Sequence, residues 1–153
     1  MAPSQVKLEL TETVMLNSAV HLEMIKKLKD LGVMIAIDDF GTGYASFTYL
    51  LDIRPDVIKI DQSFIRKLAQ VDKPDRDNER IVASMLTLAR QLGISTVAEG
   101  VETVPQLQWL QQHGCDYIQG YLLGKPMPFV EFEKVVKYST SVSGSMESQE
   151  NIL

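Results

Sequence analysis

Short apolar runs that close on a charged residue recur along this 153-residue chain. Four do so: Val6-Lys7-Leu8-Glu9-Leu10, Ile35-Ala36-Ile37-Asp38-Asp39, Val57-Ile58-Lys59-Ile60-Asp61 and Ser95-Thr96-Val97-Ala98-Glu99. A fifth, Asp116-Tyr117-Ile118-Gln119-Gly120, ends in an amide. A buried parallel strand reads as a short apolar run, and a charge at its end costs free energy unless something balances it. Polarity at the carboxyl end of every strand implies that those ends converge on one site, as they do on the active face of a (β/α) barrel. The converging groups are mostly carboxylates, with one lysine, Lys59, which points to a metal-dependent enzyme.

Helical patterns separate the runs. Val20, Met24, Leu28 and Leu31 recur at helical spacing after a cap at Asn17 or Ser18 and stop at Gly32. A short helix is expected from Ser46 to Leu51, ended by Pro55, and another from Ser63 to Leu68. The polar stretch Asp72 to Asp77 reads as a loop, and Glu79 to Leu92 as a helix closed by Gly93. Thr103 caps a helix that runs to His113 with Pro105 in its first turn, and Val130 to Tyr138 forms the last helix. Met24, Met34, Met85 and Met127 read as core filler. The expected organisation is one α/β domain over residues 1–138 and a disordered Ser-rich tail over 139–153.

Alternation of strands and helices implies a parallel sheet with right-handed crossovers. Five strands do not close a barrel, which takes eight and about 250 residues. Two architectures remain: an open five-stranded sheet, or a TIM-like barrel missing a piece. The start of the chain almost directly on a strand favours the partial barrel, with about five of eight parallel strands.

Composition limits the partners. Apolar residues make up 45% of the chain, and 15 basic residues face 20 acidic ones for a net charge of −5. That balance offers no basic surface for DNA or RNA. No apolar run approaches the roughly 20 residues of a membrane helix, and no signal pattern precedes the first strand. The single Cys115 excludes an internal disulfide. These features together imply a cytoplasmic domain.

Five motifs then fall into one order. Leu8-Glu9-Leu10-Thr11-Glu12, Asp38-Asp39-Phe40-Gly41-Thr42-Gly43-Tyr44, Ile58-Lys59-Ile60-Asp61, Ala98-Glu99-Gly100-Val101-Glu102, and Gln119-Gly120-Tyr121-Leu122 followed by Lys125-Pro126-Met127-Pro128 resemble the successive motifs of the EAL family of bacterial cyclic di-GMP phosphodiesterases. The resemblance covers roughly residues 3 to 138, the last five of eight barrel elements. The E-A-L strand itself, the antiparallel strand before it and a later strand with a metal-binding asparagine have no counterpart here. Ala45 stands where the family often has serine, and Gln62 where it often has arginine.

The resemblance implies hydrolysis of cyclic di-GMP to linear pGpG with two Mg²⁺ or Mn²⁺ ions, impaired in this chain by the missing elements. Such ions favour the hard oxygens of Asp and Glu, and a pair of them activates water and neutralises phosphoryl charge. By resemblance Asp38 bridges both ions, Glu9 binds the first, and Asp39 with Glu99 binds the second. Lys59 holds the attacking water, which makes Lys59, Glu99 and Asp39 the catalytic group. Asp61, Glu102, Gln119 and Pro126 are the implied ligand contacts. Neighbours on a regular strand face opposite ways, so Asp38 and Asp39 share a site only if the strand ends there.

Plainer readings stand beside these: the two aspartates capping a loop, Lys59 paired with Asp61, and Gln119 satisfying backbone groups. Glu12 either steadies the glycine loop or sits at a helix N-terminus. Gly41 and Gly43 permit φ > 0 in a mobile lid or form a plain turn. The leading alternative function is an inactive EAL-like module that binds nucleotide or a protein partner, dimerising around Asp75 to Met85 or along open strand edges. A regulatory domain elsewhere in the full-length protein fits either reading. A Schiff-base role for Lys59 is disfavoured, because neighbouring carboxylates keep it charged.

Overall fold

A computed structural model describes residues 2–11, 19–43, 47–70, 72 and 74–135. Glu12, the proposed cap at Asn17 or Ser18, and the tail over 139–153 lie outside the described residues. By its contacts the chain divides into two units, Met1–Leu123 and Gly124–Leu153.

The first unit is α/β. Its strands are β1 (Lys7–Thr11), β2 (Met34–Phe40), β3 (Val57–Ile60), β4 (Ser95–Glu99) and β5 (Tyr117–Gln119), and its helices are α1 (Ala19–Asp30), α2 (Phe47–Ile53), α3 (Gln62–Ile65), α4 (Arg76–Leu92) and α5 (Val104–Gln112). All neighbouring strands pair in parallel, and spatial order follows chain order from β1 to β5. That order is the arc of a TIM-like barrel rather than a doubly wound sheet, in which strand order reverses at a switch point.

Burial grades across the arc. All four residues of central β3 are buried, whereas most of β1 and β5 is exposed. Two apolar clusters hold helices onto the sheet. One gathers Ile25, Ile35, Ile37, Leu50, Ile53, Ile58 and Ile94, and the other Ile60, Ile65, Val82, Leu86, Val101 and Leu110. Met85 packs against both clusters, but Met24 is 58% exposed, and Met34 and Met127 are 37% exposed. Those three are therefore not core filler. Periodicity places a residue on a helix or strand but does not say whether a neighbour covers it.

Helix ends follow local chemistry. α4 begins at Arg76, earlier than its apolar pattern, because the Asp75 side chain accepts the Asn78 N–H, and Asp77 and Glu79 suit the first turn. Gly93 closes it at φ 69°. Thr103 and Gln106 form a capping box on α5. In the second unit, residues 129–135 are helical.

Candidate active site

The carboxyl ends of four strands meet at Lys59. Its side chain stands on the buried central strand and is 8% exposed as a residue. Its ammonium donates to Glu9 Oε2 of β1 at 2.9 Å and to Asp38 Oδ1 of β2 at 2.8 Å. Glu99 Oε1 of β4 completes the set at 2.9 Å. Lys59 thus pairs with three carboxylates and not with Asp61, whose side chain instead caps α3 by accepting the Ser63 N–H at 2.9 Å.

Electrostatics follow from that packing. Burial pulls the Lys59 pKa down, but the hydrogen bonds of Asp38, Glu99 and Glu9 outweigh it and hold the ammonium well above the ordinary lysine value. Burial raises the Glu99 carboxyl above the ordinary glutamate value. Lys59 opposes that rise, while the charges of Asp38 and Asp39 add to it.

Asp38 and Asp39 reach the same side by a route other than a strand end. β2 continues through Phe40, and its register with β3 slips between Ile37 and Phe40. Ile37 pairs with Ile58 and Phe40 with Ile60, so Asp38 and Asp39 together face Lys59 alone. Asp39 takes φ 54°, a left-handed conformation that Asp tolerates better than most side chains. This β-bulge turns consecutive side chains toward one point. The sequence expectation located the cause in a strand end; the cause is the extra residue within the strand.

One carboxylate oxygen from each of Asp38, Asp39 and Glu99 lies within 4.8 Å of the others. Three partly buried, hard oxygen donors at that spacing suit a divalent cation such as Mg²⁺ or Mn²⁺. The donor set therefore fits the implied metal.

Beyond the carboxylates, Gln62, Arg66, Glu99, Gly100, Glu102, Gln119, Gly120 and Tyr121 line a cleft of about 240 Å³. Glu99 belongs to both the carboxylate group and this cleft. Gly120 packs against the Val101 backbone so tightly that a Cβ would collide with it. Gly41 combines φ 98° with contact to Phe64 and Met85, leaving no room for a side chain. Asp61 does not line the cleft, and Pro126 belongs to the second unit.

Sequence reading missed several supports. Buried Gln106 accepts the Glu102 and Thr103 N–H groups at 2.9 and 3.0 Å and donates to Ile65 O at 3.1 Å, which fixes the loop carrying Glu102. Arg66 reaches the cleft with its guanidinium on Gln62 Oε1. Asp56 and Asp116 anchor the opposite ends of the strands. Their signal was present as an Asp directly before each strand, in Asp56-Val57-Ile58-Lys59 and Asp116-Tyr117-Ile118-Gln119.

Fold and site together define a partial, TIM-like (β/α) barrel with an acidic, lysine-centred site at the strand carboxyl ends. The EAL domain family matches residues 1–126, and the chain belongs to that family. Among relatives, the chain is 44% identical over 129 residues to the bifunctional diguanylate cyclase/cyclic di-GMP phosphodiesterase MucR of Pseudomonas aeruginosa, covering 84% of this chain and 18% of MucR. It is 38% identical over 138 residues to the cyclic di-GMP phosphodiesterase NbdA of the same organism, covering 90% of this chain and 17% of NbdA. The chain therefore spans less than a fifth of the length of either relative. Of solved structures, the PaMucR phosphodiesterase in its c-di-GMP complex superposes with a TM-score of 0.79 at 43% identity, covering 86% of this chain and 52% of that one. The manganese and cy-diGMP complex of Klebsiella pneumoniae BlrP1 gives 0.73 at 37% identity, covering 82% and 31%. Among the described residues, no helix is long and apolar enough to cross a membrane.

Proposed function

We propose that this chain carries the metal-binding half of a cyclic di-GMP phosphodiesterase site that opens the cyclic dinucleotide to linear pGpG. The observation that carries the reading is the convergence of Glu9, Asp38 and Glu99 on Lys59 with Asp39 beside them, in a member of a family whose relatives are named for this activity. Asp38 would be shared between two Mg²⁺ or Mn²⁺ ions, with Glu9 on one side and Asp39 and Glu99 on the other. When bound, the pair would supply an activated water and positive charge for the phosphoryl oxygens.

The chain's own groups have separate tasks. Lys59 orients the water and offsets charge on the phosphodiester, a role its strongly held proton suits. Glu102 and Gln119, at the cleft, offer an acceptor and an amide to a guanine edge. Asp61 and Pro126 are proposed as outer ligand contacts, and Glu12, Gly41 and Gly43 as supports of the loop after β2. The protein is proposed to act in the bacterial cytoplasm, joined to a regulatory domain in its full-length form.

The 153-residue segment alone is proposed to be impaired, because the five strands among the described residues wall only part of a groove that eight would enclose. Hydrolysis of cyclic di-GMP with Mg²⁺ or Mn²⁺, against EDTA and Glu99→Gln controls, tests this. Slow, metal-dependent release of pGpG that disappears in the variant is expected. A rate within about tenfold of an intact family member would contradict the impairment. Product formed in EDTA would contradict the site.

One observation favours a second reading, a non-catalytic module that binds nucleotide or a protein partner. Among the described residues β1 pairs only with β2 and β5 only with β4, and Leu8 and Tyr117 on these edges are exposed. Such a segment would self-associate through its edges or around Asp75 to Met85. Sedimentation as a monomer at micromolar concentration would remove self-association from that reading.

A further inference from the structure

Lys59 is more deeply buried than the carboxylates it serves. It is 10% exposed at the side chain, against 46% for Glu9, 25% for Asp38 and 17% for Glu99. Its three partners come from three different strands, and β3 lies between the strands that supply them. Asp39 adds a fourth carboxylate, within 4.8 Å of Asp38 and Glu99 by their ligand oxygens. Four negative charges against one positive leave this group at −3 by formal count (+1 − 4). Without the ammonium, like charges from separate strands would face one another in a partly buried setting, where repulsion is weakly screened.

Asp38 and Glu99 are also members of the oxygen group that suits a divalent cation. Asp38 Oδ1 and Glu99 Oε1 give lone pairs to the ammonium at 2.8 and 2.9 Å, so Lys59 takes part of the acceptor capacity and offsets part of the negative charge that these carboxylates would offer a metal ion. We infer that Lys59 is the site's built-in counter-ion: it holds the carboxylates of three strands together before metal arrives and competes with the metal for them. This makes Lys59 a positioning residue for metal entry, in addition to the role toward water proposed above. The metal-competition part of the inference rests on reading Asp38 and Glu99 as metal ligands. The counter-ion part does not.

A double-mutant cycle on the full chain separates the two parts. Thermal melts are recorded in EDTA for wild type, Lys59→Met, Glu99→Gln and the double variant. Methionine keeps the apolar stem and removes the charge. Lys59→Met is expected to lower Tm by about 5 °C or more. Glu99→Gln is expected to raise Tm more in the Lys59→Met background than in wild type, since a repulsion is then relieved with no pair lost. Equal effects in both backgrounds would reduce Lys59 to a packing residue and overturn the inference. If Lys59→Met does not fold, the double variant decides: a cooperative melt supports the counter-ion role, and failure of both to fold overturns it.

Mn²⁺ titration followed by the spin resonance of the free ion tests the competition. Lys59→Met is expected to bind Mn²⁺ roughly tenfold more tightly than wild type and to regain Tm in its presence. Unchanged or weaker binding overturns the competition. A cycle that behaves as expected in EDTA, with no Mn²⁺ bound by either protein, would preserve the counter-ion and remove the metal reading.

Discussion

The two ends of this sheet both use carboxylates, and they use them oppositely. At the amino ends, Asp56 takes the Ile35 N–H at 2.7 Å and the Lys29 ammonium at 3.0 Å. Asp116 takes the Thr96 N–H and hydroxyl, each at 2.8 Å. Each precedes its own strand and clasps the strand before it, β2 for Asp56 and β4 for Asp116, which are the strands that carry Asp38, Asp39 and Glu99. At the carboxyl ends, Glu9, Asp38 and Glu99 share one ammonium that is too little charge for them. A carboxylate that accepts backbone N–H groups is committed to register. One that shares a side-chain cation in a cleft keeps acceptor capacity for a ligand. In a barrel the first kind belongs to the stabilising face and the second to the functional face.

The difference predicts opposite responses to neutralisation, and the largest effect lies at the carboxyl end. Asp38→Asn should reduce the proposed metal-dependent hydrolysis of cyclic di-GMP by about a hundredfold or more, because Asn is a poor divalent ligand, while folding survives. Steady-state rates paired with melting curves would show it. Loss of folding with the activity would mean that both ends are structural.

At the amino end, Asp56→Ala should cost about 2–3 kcal/mol in urea unfolding, because the Ile35 N–H is left buried without a partner. Asp56→Asn, whose amide oxygen can still accept that N–H, should recover most of the loss. Equal costs for both variants would shift the credit to the Lys29 pair, which is partly exposed and contributes little by itself.

Asp39 separates strain from chemistry. Asn tolerates the left-handed backbone at φ 54°, so Asp39→Asn should leave stability nearly unchanged and weaken metal binding. Asp39→Val should lose metal binding and also about 1–3 kcal/mol. Equal stability for the two would show that the bulge relaxes without cost.

The smallest effect is in pH. Burial, opposed by Lys59 and reinforced by Asp38 and Asp39, raises the Glu99 carboxyl above the ordinary glutamate value. The folded state therefore disfavours the ionised form, and this contribution to stability is lost as pH rises through the raised value. Metal needs that ionised form, so affinity should climb over the same interval, and Glu99→Gln should flatten the climb. Lys59 works in the opposite sense. Its contribution is complete below the ordinary lysine value of 10.5 and is lost only as pH rises through its higher folded value.

Much of this was legible in the chain. Val57 to Ile60 and Tyr117 to Gln119 read as strands because short apolar runs bounded by polar or breaker residues leave little alternative. Gly93 marked a helix end that it does close. Sequence also pointed to convergence of Glu9, Asp38, Lys59 and Glu99 at strand ends. The bulge at Asp39 was not legible, because an extra residue in a ladder is defined by its partner strand, and a sequence does not show register. Gln106 was hidden for a similar reason: it reads as the third residue of a helix, while its amide serves backbone from Ile65 and Glu102. Asp56 and Asp116 are visible as an Asp directly before a strand, but the backbone N–H each accepts lies on a neighbouring strand, 21 and 20 residues away in the chain, which the local pattern does not show.

The central claim is that these carboxylates form a divalent-ion site, and Mn²⁺ binding by wild type against Glu99→Gln near pH 8 tests it most directly. Saturable binding by wild type, weakened by about tenfold or more in the variant with no loss of Tm, is the predicted result. Indistinguishable binding by the two proteins, or none by either, would contradict it.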